Sequence, residues 1–441
     1  MIFAYWRPEA PVHSAMEAAM DRSTELGCER RSPARYASLG LLLLALAAPL
    51  NAGEVSAVVN KSGDLLVTGG ADADSVLMVH VASSNAWFVT AGAATTSING
   101  VHMVAFQGVG RDVVVDLGGG DDHLDCAGAV ERSLRMRLGA GADSANVHHA
   151  TIGMDLRVLK SADRDEIEVT KCDIGRDVRM DSGAVGLDFG VRTTSVGRDL
   201  DLRFGKSPAA AAVGESVVEA VTVGRHLRLK GASPAPIKIG EVTVAGSTVI
   251  TATAPNAVVA IDQAAFASAV DLRGPANLSV SLLNSSASQA IRVNAAKGPI
   301  AKLDVVHCVF GDDVRFTSNA DETLTSFIHP TEVGGDLRLD IRSKTSTWSW
   351  LSRLHVVGDV VVKCKGAPDT VVFTESNAEG GALFSLGGGE NDVSVSAVSV
   401  TGNLSIKAGK ADDEVTFFQV VVGGESTVAT GAGTDTFVEI P

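Results

Sequence analysis

Five aspartates recur at one place in a repeated turn, glycine-rich in most of its copies: Asp122, Asp143, Asp165, Asp413 and Asp435. The turns read L-G-G-G-D-D-H-L at 117–124, L-G-A-G-A-D-S-A at 138–145 and T-G-A-G-T-D-T-F at 430–437. Looser copies lie at 69–76, 387–393 and 408–415, and the same position also takes in Asp74, Asp369 and Asp392. Carboxylates and turn carbonyls are hard oxygen donors, the kind calcium gathers in groups of about six to eight. A second chemistry needs no ion. Glycine supplies positive φ in a tight turn, and aspartate caps backbone N–H groups there. Both readings are open from the sequence. No G-x-S-x-G, phosphate-loop, H-E-x-x-H or zinc cysteine-pair motif occurs, so no catalytic residue is assigned.

What positions these turns is an internal repeat. The chain reads I-G-M-D-L-R-V at 152–158, I-G-R-D-V-R-M at 174–180 and V-G-R-D-L-D-L at 196–202, with evenly spaced starts at 152, 174 and 196. The apolar residue after Gly-x-Asp serves as a register mark. The marks run Leu65, Trp87, Val113, Leu134, Leu156, Val178, Leu200, Leu227, Thr248, Val270, Ile291, Val314, Leu337, Val360, Leu383, Leu404 and Ser426. Most steps stay within one residue of the spacing between Leu156 and Val178, and the longer step from Leu200 to Leu227 marks an insertion near 208–212. Within a copy the apolar residues fall in alternating pairs, such as Leu156 and Val158, Ile167 and Val169, Cys172 and Ile174. Period-two pairs mean short strands with one buried face. Three such strands per repeat predict an all-β parallel β-helix, about 17 coils of about 22 residues, stacked as a solenoid. It forms one domain over 53–441.

The turns resemble the calcium-binding nonapeptide of the RTX toxins, G-G-x-G-x-D-x-U-x with U apolar. That resemblance implies backbone carbonyls and the Asp binding calcium between successive turns. The family's Asp falls on Asp122, Asp143 and Asp435, preceded by Gly118 and Gly120, Gly139 and Gly141, and Gly431 and Gly433. The RTX motif recurs every nine residues, whereas here it recurs once per coil. Asp122, Asp143 and Asp165 would stack on successive rungs roughly 4.8 Å apart, a repulsion that a cation would relieve.

Other groups have simpler expected places. Trp348 and Trp350 could stack sugars if exposed, but counting from Leu337 gives them the inward phases of Ile167 and Val169. Arg176, Arg198 and Arg225 share a phase, with Asp177 and Asp199 beside them to neutralise the stripe. His148-His149 is expected in a solvated turn. Cys172 and Cys308 share a phase six coils apart, roughly 29 Å at that rung spacing. A disulfide needs Cα atoms within about 7 Å, so buried thiols are expected.

The net charge of −15 disfavours nucleic acid and anionic membranes. The 12-residue apolar run at 39–50 follows Arg30, Arg31 and Arg35. It is too short to span a bilayer and reads as a signal peptide within an extension over 1–52. The expectation is a secreted or cell-surface protein with a structural, adhesive or binding role, its partner an extracellular polymer or cell-surface component. Two alternatives stand beside it. One is a polysaccharide lyase or hydrolase using the Asp122–Asp143–Asp165 column with Lys160 and Arg164. The other is a calcium-dependent binding module.

Overall fold

The computed structural model describes residues 53–440 apart from 160–164, 182–186, 207–215, 233–235, 276 and 367. The apolar run 39–50, Cys28, Lys160, Arg164 and the insertion near 208–212 lie outside the described residues. All regular structure in the described residues is β-strand. One coil shows the plan. Its first strand is Leu156–Leu159, its second Asp165–Thr170 and its third Asp173–Ile174. Each strand pairs in parallel with its counterpart one coil on. Leu156 faces Val178, which faces Leu200, and Ile167 faces Phe189. The chain is therefore a β-solenoid of coils of about 22 residues, with about 14 regular turns between the coil begun by Val113 and the coil begun by Leu404.

In-register stacking turns the sequence pattern into columns. Leu156, Val178, Leu200 and Leu227 are fully buried above one another, as are Leu337, Val360 and Leu404 further along. Burying such side chains contributes about 1.5–3 kcal/mol each, and the coil-to-coil backbone bonds add to it. The repeated glycine has a steric cause. A methyl group on Gly175 would collide with the Gly153 carbonyl oxygen, and one on Gly197 with that of Gly175.

The second and third strands are two legs joined at a corner residue of positive φ. The corner is Gly128, then His149, Lys171, Thr193, Ala220, Glu241, Gln263, Asn284, His307, His329, Arg353, Glu375, Ala397 and Gln419. Only one of them is glycine. Left-handed backbone costs a residue with a Cβ roughly 1–2 kcal/mol, so repetition of the coil enforces it. The next inward residue often bonds the corner. Ser285 and Ser376 hydroxyls each donate to the carbonyl two residues back, at 2.6 Å, and Thr194 does so at 2.8 Å. Cys172 and Cys308 occupy this same place. Their thiols lie 3.4 and 3.3 Å from the Thr170 and Val306 carbonyls. Cys126, Cys172, Cys308 and Cys364 are all buried and free.

Two register marks move and one second strand changes phase. Trp87 begins no coil. It lies in Ala86–Ala91, antiparallel to Ser75–Val81, and Met103–Gln107 pairs antiparallel on its other side. Leu65 pairs directly with Val113, so Trp87 falls between two adjacent rungs. The intervening antiparallel strands pack on the N-terminal end of the stack. Leu383 yields to Ala382, which pairs with both Val360 and Leu404. Asp392 is consequently exposed, and Asn391 takes the inward place. Trp348 and Trp350 point outward, 50% and 44% exposed, while Thr347, Ser349 and Leu351 point in. The coils from Ile291 through Val360 are each longer by one residue than the coil begun by Leu156. In the coils begun by Ile291 and Leu337 the extra residue lies before the second strand and shifts that strand's phase by one, whereas in the coil begun by Val314 it lies after that strand, at the corner.

Candidate functional site

The aspartates of the repeated turn do stack. Asp74, Asp122, Asp143 and Asp165 form one column of neighbours at the N-terminal end, each nearly fully buried. Asp369, Asn391, Asp413 and Asp435 continue the position near the C-terminal end. Between them the same inward place holds Ala257, Leu278, Ala301, Thr323 and Thr347. Aspartate is thus grouped at the two ends of the stack, with apolar or hydroxyl residues between.

Each carboxylate accepts a backbone N–H from the coil before it. Asp74 N–H donates to Asp122 Oδ1 at 2.7 Å, and Asp122 N–H to Asp143 Oδ1 at 2.8 Å. Asp143 N–H donates to Asp165 Oδ1 at 3.4 Å. At the other end Asn391 N–H donates to Asp413 Oδ1 at 3.0 Å, and Asp413 N–H to Asp435 Oδ1 at 3.1 Å. Glycine is required beside them. Gly118 and Gly139 have φ of 95° and 114°, and a methyl group on either would strike the carbonyl oxygen of the preceding turn.

A second aspartate ladder runs through the Gly-x-Asp turn in the opposite sense. Here the later coil donates to the earlier one. Asp336 N–H bonds Asp313 Oδ1 at 3.0 Å, Asp359 N–H bonds Asp336 Oδ1 at 2.9 Å, and Gly381 N–H bonds Asp359 Oδ1 at 2.8 Å. Arginines neutralise this ladder. Arg176 lies 3.7 Å from Asp155, Arg198 3.7 Å from Asp177, and Arg225 grips both oxygens of Asp199. Each arginine reaches the aspartate of the preceding coil rather than its sequence neighbour.

The two ladders differ in electrostatics. The Arg225 guanidinium holds the Asp199 carboxyl below the usual range. The Asp336 N–H, then Arg315, does the same for Asp313. Burial pushes Asp74 and Asp369 up. Burial, with the charges of Asp143 and Asp74 added, pushes Asp122 up to about 7. Asp122 Oδ2 is buried without a hydrogen-bond partner.

The calcium expectation can be set against the turn's own bonding. The carbonyls of Gly70, Gly118 and Ala140 accept N–H groups from adjoining turns at 2.8, 3.0 and 2.8 Å. Asp122, Asp143, Asp165, Asp413 and Asp435 each commit one oxygen to a backbone N–H. The described residues contain no cluster of three or more His, Cys, Asp or Glu side chains spaced to hold a metal ion. In these turns the carboxylates cap backbone N–H groups of the adjoining coil.

His149 is a corner residue, and its neighbour His148 places Nε2 2.7 Å from Asp125 on the preceding coil. A shallow groove of about 720 Å³ follows the corner near the C-terminal end, lined in part by Arg353, His355, Glu375, Asn377 and Ser399. Arg353 pairs with Glu375 at 2.7 Å and His355 with Glu379 at 3.4 Å.

The outward tryptophans are the feature that phase counting missed. They stand on Ser346–Ser352, two residues apart on one side of the strand. Beneath them the interior is hydroxylic. Thr325 Oγ1 bonds Ser349 Oγ at 2.9 Å, Ser343 Oγ bonds Thr323 Oγ1 at 2.9 Å, and Ser318 and Thr323 hydroxyls lie 2.8 Å apart. A buried hydroxyl without a partner costs roughly 1–3 kcal/mol. This network removes that cost for Ser349, though the Thr347 hydroxyl is buried without a partner, and it favours the strand with its indoles outside. The signal in the sequence was the T-W-S-W alternation of small hydroxyls with tryptophan, read in the opposite phase.

The chain matches no protein-family model, and comparison with curated proteins and with solved structures finds no similar chain.

Proposed function

We propose that this chain is an exported, non-catalytic β-solenoid whose outer faces bind an extracellular polymer or cell-surface component. The observation that carries this reading is the use of the chemistry-capable groups inside the stack. Carboxylates on both turns cap backbone N–H groups of adjoining coils, and arginines pair with the second set. What the solenoid offers outward is a set of long, regular strand faces, suited to repeated contact with a polymer. The test is retention of the purified protein on cellulose, chitin, pectin, alginate and isolated cell-wall material, with soluble products assayed in parallel. Retention without product release supports the reading. Release of shortened or unsaturated sugars overturns it in favour of a lyase or hydrolase.

A calcium-dependent binding module is the second reading, favoured by one observation: the buried, partnerless Asp122 Oδ2. Asp122, Asp143 and Asp165 would then supply carboxylate oxygens to the ion at one end of the stack, and Asp413 and Asp435 at the other. A melting temperature that rises by many degrees in millimolar calcium over EGTA supports it through ligand linkage. An unchanged melting temperature removes it.

A further inference from the structure

We infer that the outer face around Trp348 and Trp350 binds the flat surface of an insoluble, uncharged polysaccharide. This rests on the polymer-binding reading above and gives it a site and a ligand class.

Three observations carry it. The first is the inverted strand. Ser346–Ser352 buries Thr347 and Ser349 and leaves two indoles half-exposed, against the ordinary preference of these side chains. The hydroxyl network under the strand favours that orientation. The second is geometry. Residues two apart on a strand project on the same side roughly 6.8 Å apart, so the indoles form a short platform on a sheet face. Sugar rings present C–H faces that stack on indoles, and their hydroxyls can accept from indole N–H groups. Neither indole N–H has a hydrogen-bond partner among the described residues.

The third observation is charge. The side chains flanking the indoles are Leu324 and Ser326 on the coil before and Thr370 and Val372 on the coil after. None is charged, on a chain of net charge −15. One rung beyond Leu324 and Ser326 the same column carries Lys302 and Asp304, which pair with each other at 2.7 Å, and further away the face carries Glu166 and Glu168 on one strand. An anionic polysaccharide or a nucleic acid would find no counter-charge at the tryptophans. A neutral polysaccharide needs none, and Ser326 and Thr370 offer hydroxyls at its edges. A sheet face is flat, so the ligand that fits is an ordered polymer surface more than a single chain in a cleft.

The experiment is depletion of the full-length protein from solution by microcrystalline cellulose, chitin powder and insoluble mannan, with alginate beads as the anionic comparison. The expected result is binding to at least one neutral solid and none to alginate. Trp348→Ala/Trp350→Ala should lower that binding at least tenfold with an unchanged circular dichroism spectrum. Trp348→Phe/Trp350→Phe should restore part of it, and Phe418→Ala, an exposed aromatic two coils beyond the next, should leave it intact. Failure of the native protein to bind any of the three neutral solids overturns the inference, as does full binding by the double alanine variant. Retention on other cell-wall material in either case leaves the polymer-binding reading standing. Retention on nothing removes both.

Discussion

Replacing Asp122 with asparagine should stabilise the protein at neutral pH and flatten its dependence on pH. Asp122 titrates at about 7 in the fold, against an ordinary value of 3.8. Between those values the folded state holds a proton that the unfolded chain has released. Stability from this group is therefore fully present below pH ~3.8, falls as pH rises towards ~7, and is level above that. Three units at about 1.36 kcal/mol each set a ceiling of about 4 kcal/mol. Solvent screening at a turn reduces this to about 2 kcal/mol. Asparagine keeps an oxygen for the Asp74 N–H, and the chain already uses it so. In the same column Asn391 Oδ1 takes the Asp369 N–H at 3.2 Å, while its Nδ2 donates to the Gly389 carbonyl and to Asp413 Oδ1, both at 2.7 Å. The assay is thermal unfolding at pH 5 and pH 7.5 in EGTA, with hydrogen exchange followed on peptides over 113–159. Native protein should lose about 1–2 °C between these pH values, and Asp122→Asn should lose little and melt higher at pH 7.5. A variant that melts lower at pH 7.5 in EGTA, or that keeps the native slope, would refute the reasoning. Calcium that raises the native melting temperature, but not the variant's, would instead make the column an ion site.

Two further substitutions and one modification probe the stack. Gly175→Ala should destabilise by at least about 2 kcal/mol, as overpacking against a backbone carbonyl does, seen as a lower midpoint in urea. An unchanged midpoint would mean the coils are not held at this spacing. Burial pushes the Cys126 thiol up to about 12 and the Cys308 thiol up to about 11. N-ethylmaleimide should therefore leave Cys126, Cys172, Cys308 and Cys364 unlabelled in the folded protein and label all of them in denaturant, read by peptide mapping. Cys308→Ser should keep the native melting temperature within a few degrees, because serine already fills this corner place at Ser285 and Ser376.

The repeat was legible because stacking punishes any change of phase. A glycine column that touches carbonyls, and strand pairs such as Leu156 and Val158, have to recur at fixed intervals. Where the chain departs from this, the reason is local. Trp87 falls one repeat length after Leu65, yet an antiparallel excursion occupies that span. Ala382 is a small inward residue beside the larger Leu383, so hydrophobicity chose the wrong one and moved the aspartate column from Asn391 to Asp392. The positive-φ corner left no mark, since His, Lys, Thr, Ala, Glu, Gln, Asn and Arg all occupy it. What it requires is a side chain that can sit outside a bend, and nearly any residue meets that.

The tryptophans expose the limit of a rule based on size and polarity. Sliding the second strand of that coil by one residue would bury two indoles and expose Thr347 and Ser349, the outcome hydrophobicity alone favours. The observed phase instead matches Thr323 and Thr325 on the coil before, whose hydroxyls bond Ser343 and Ser349. It also matches Asp369 on the coil after, paired with Thr347. Two neighbours in register outweigh one strand's own preference, because a slip would break parallel ladders on both sides at once. A chain that places tryptophan outward under such a constraint has left an aromatic surface that its own interior does not use.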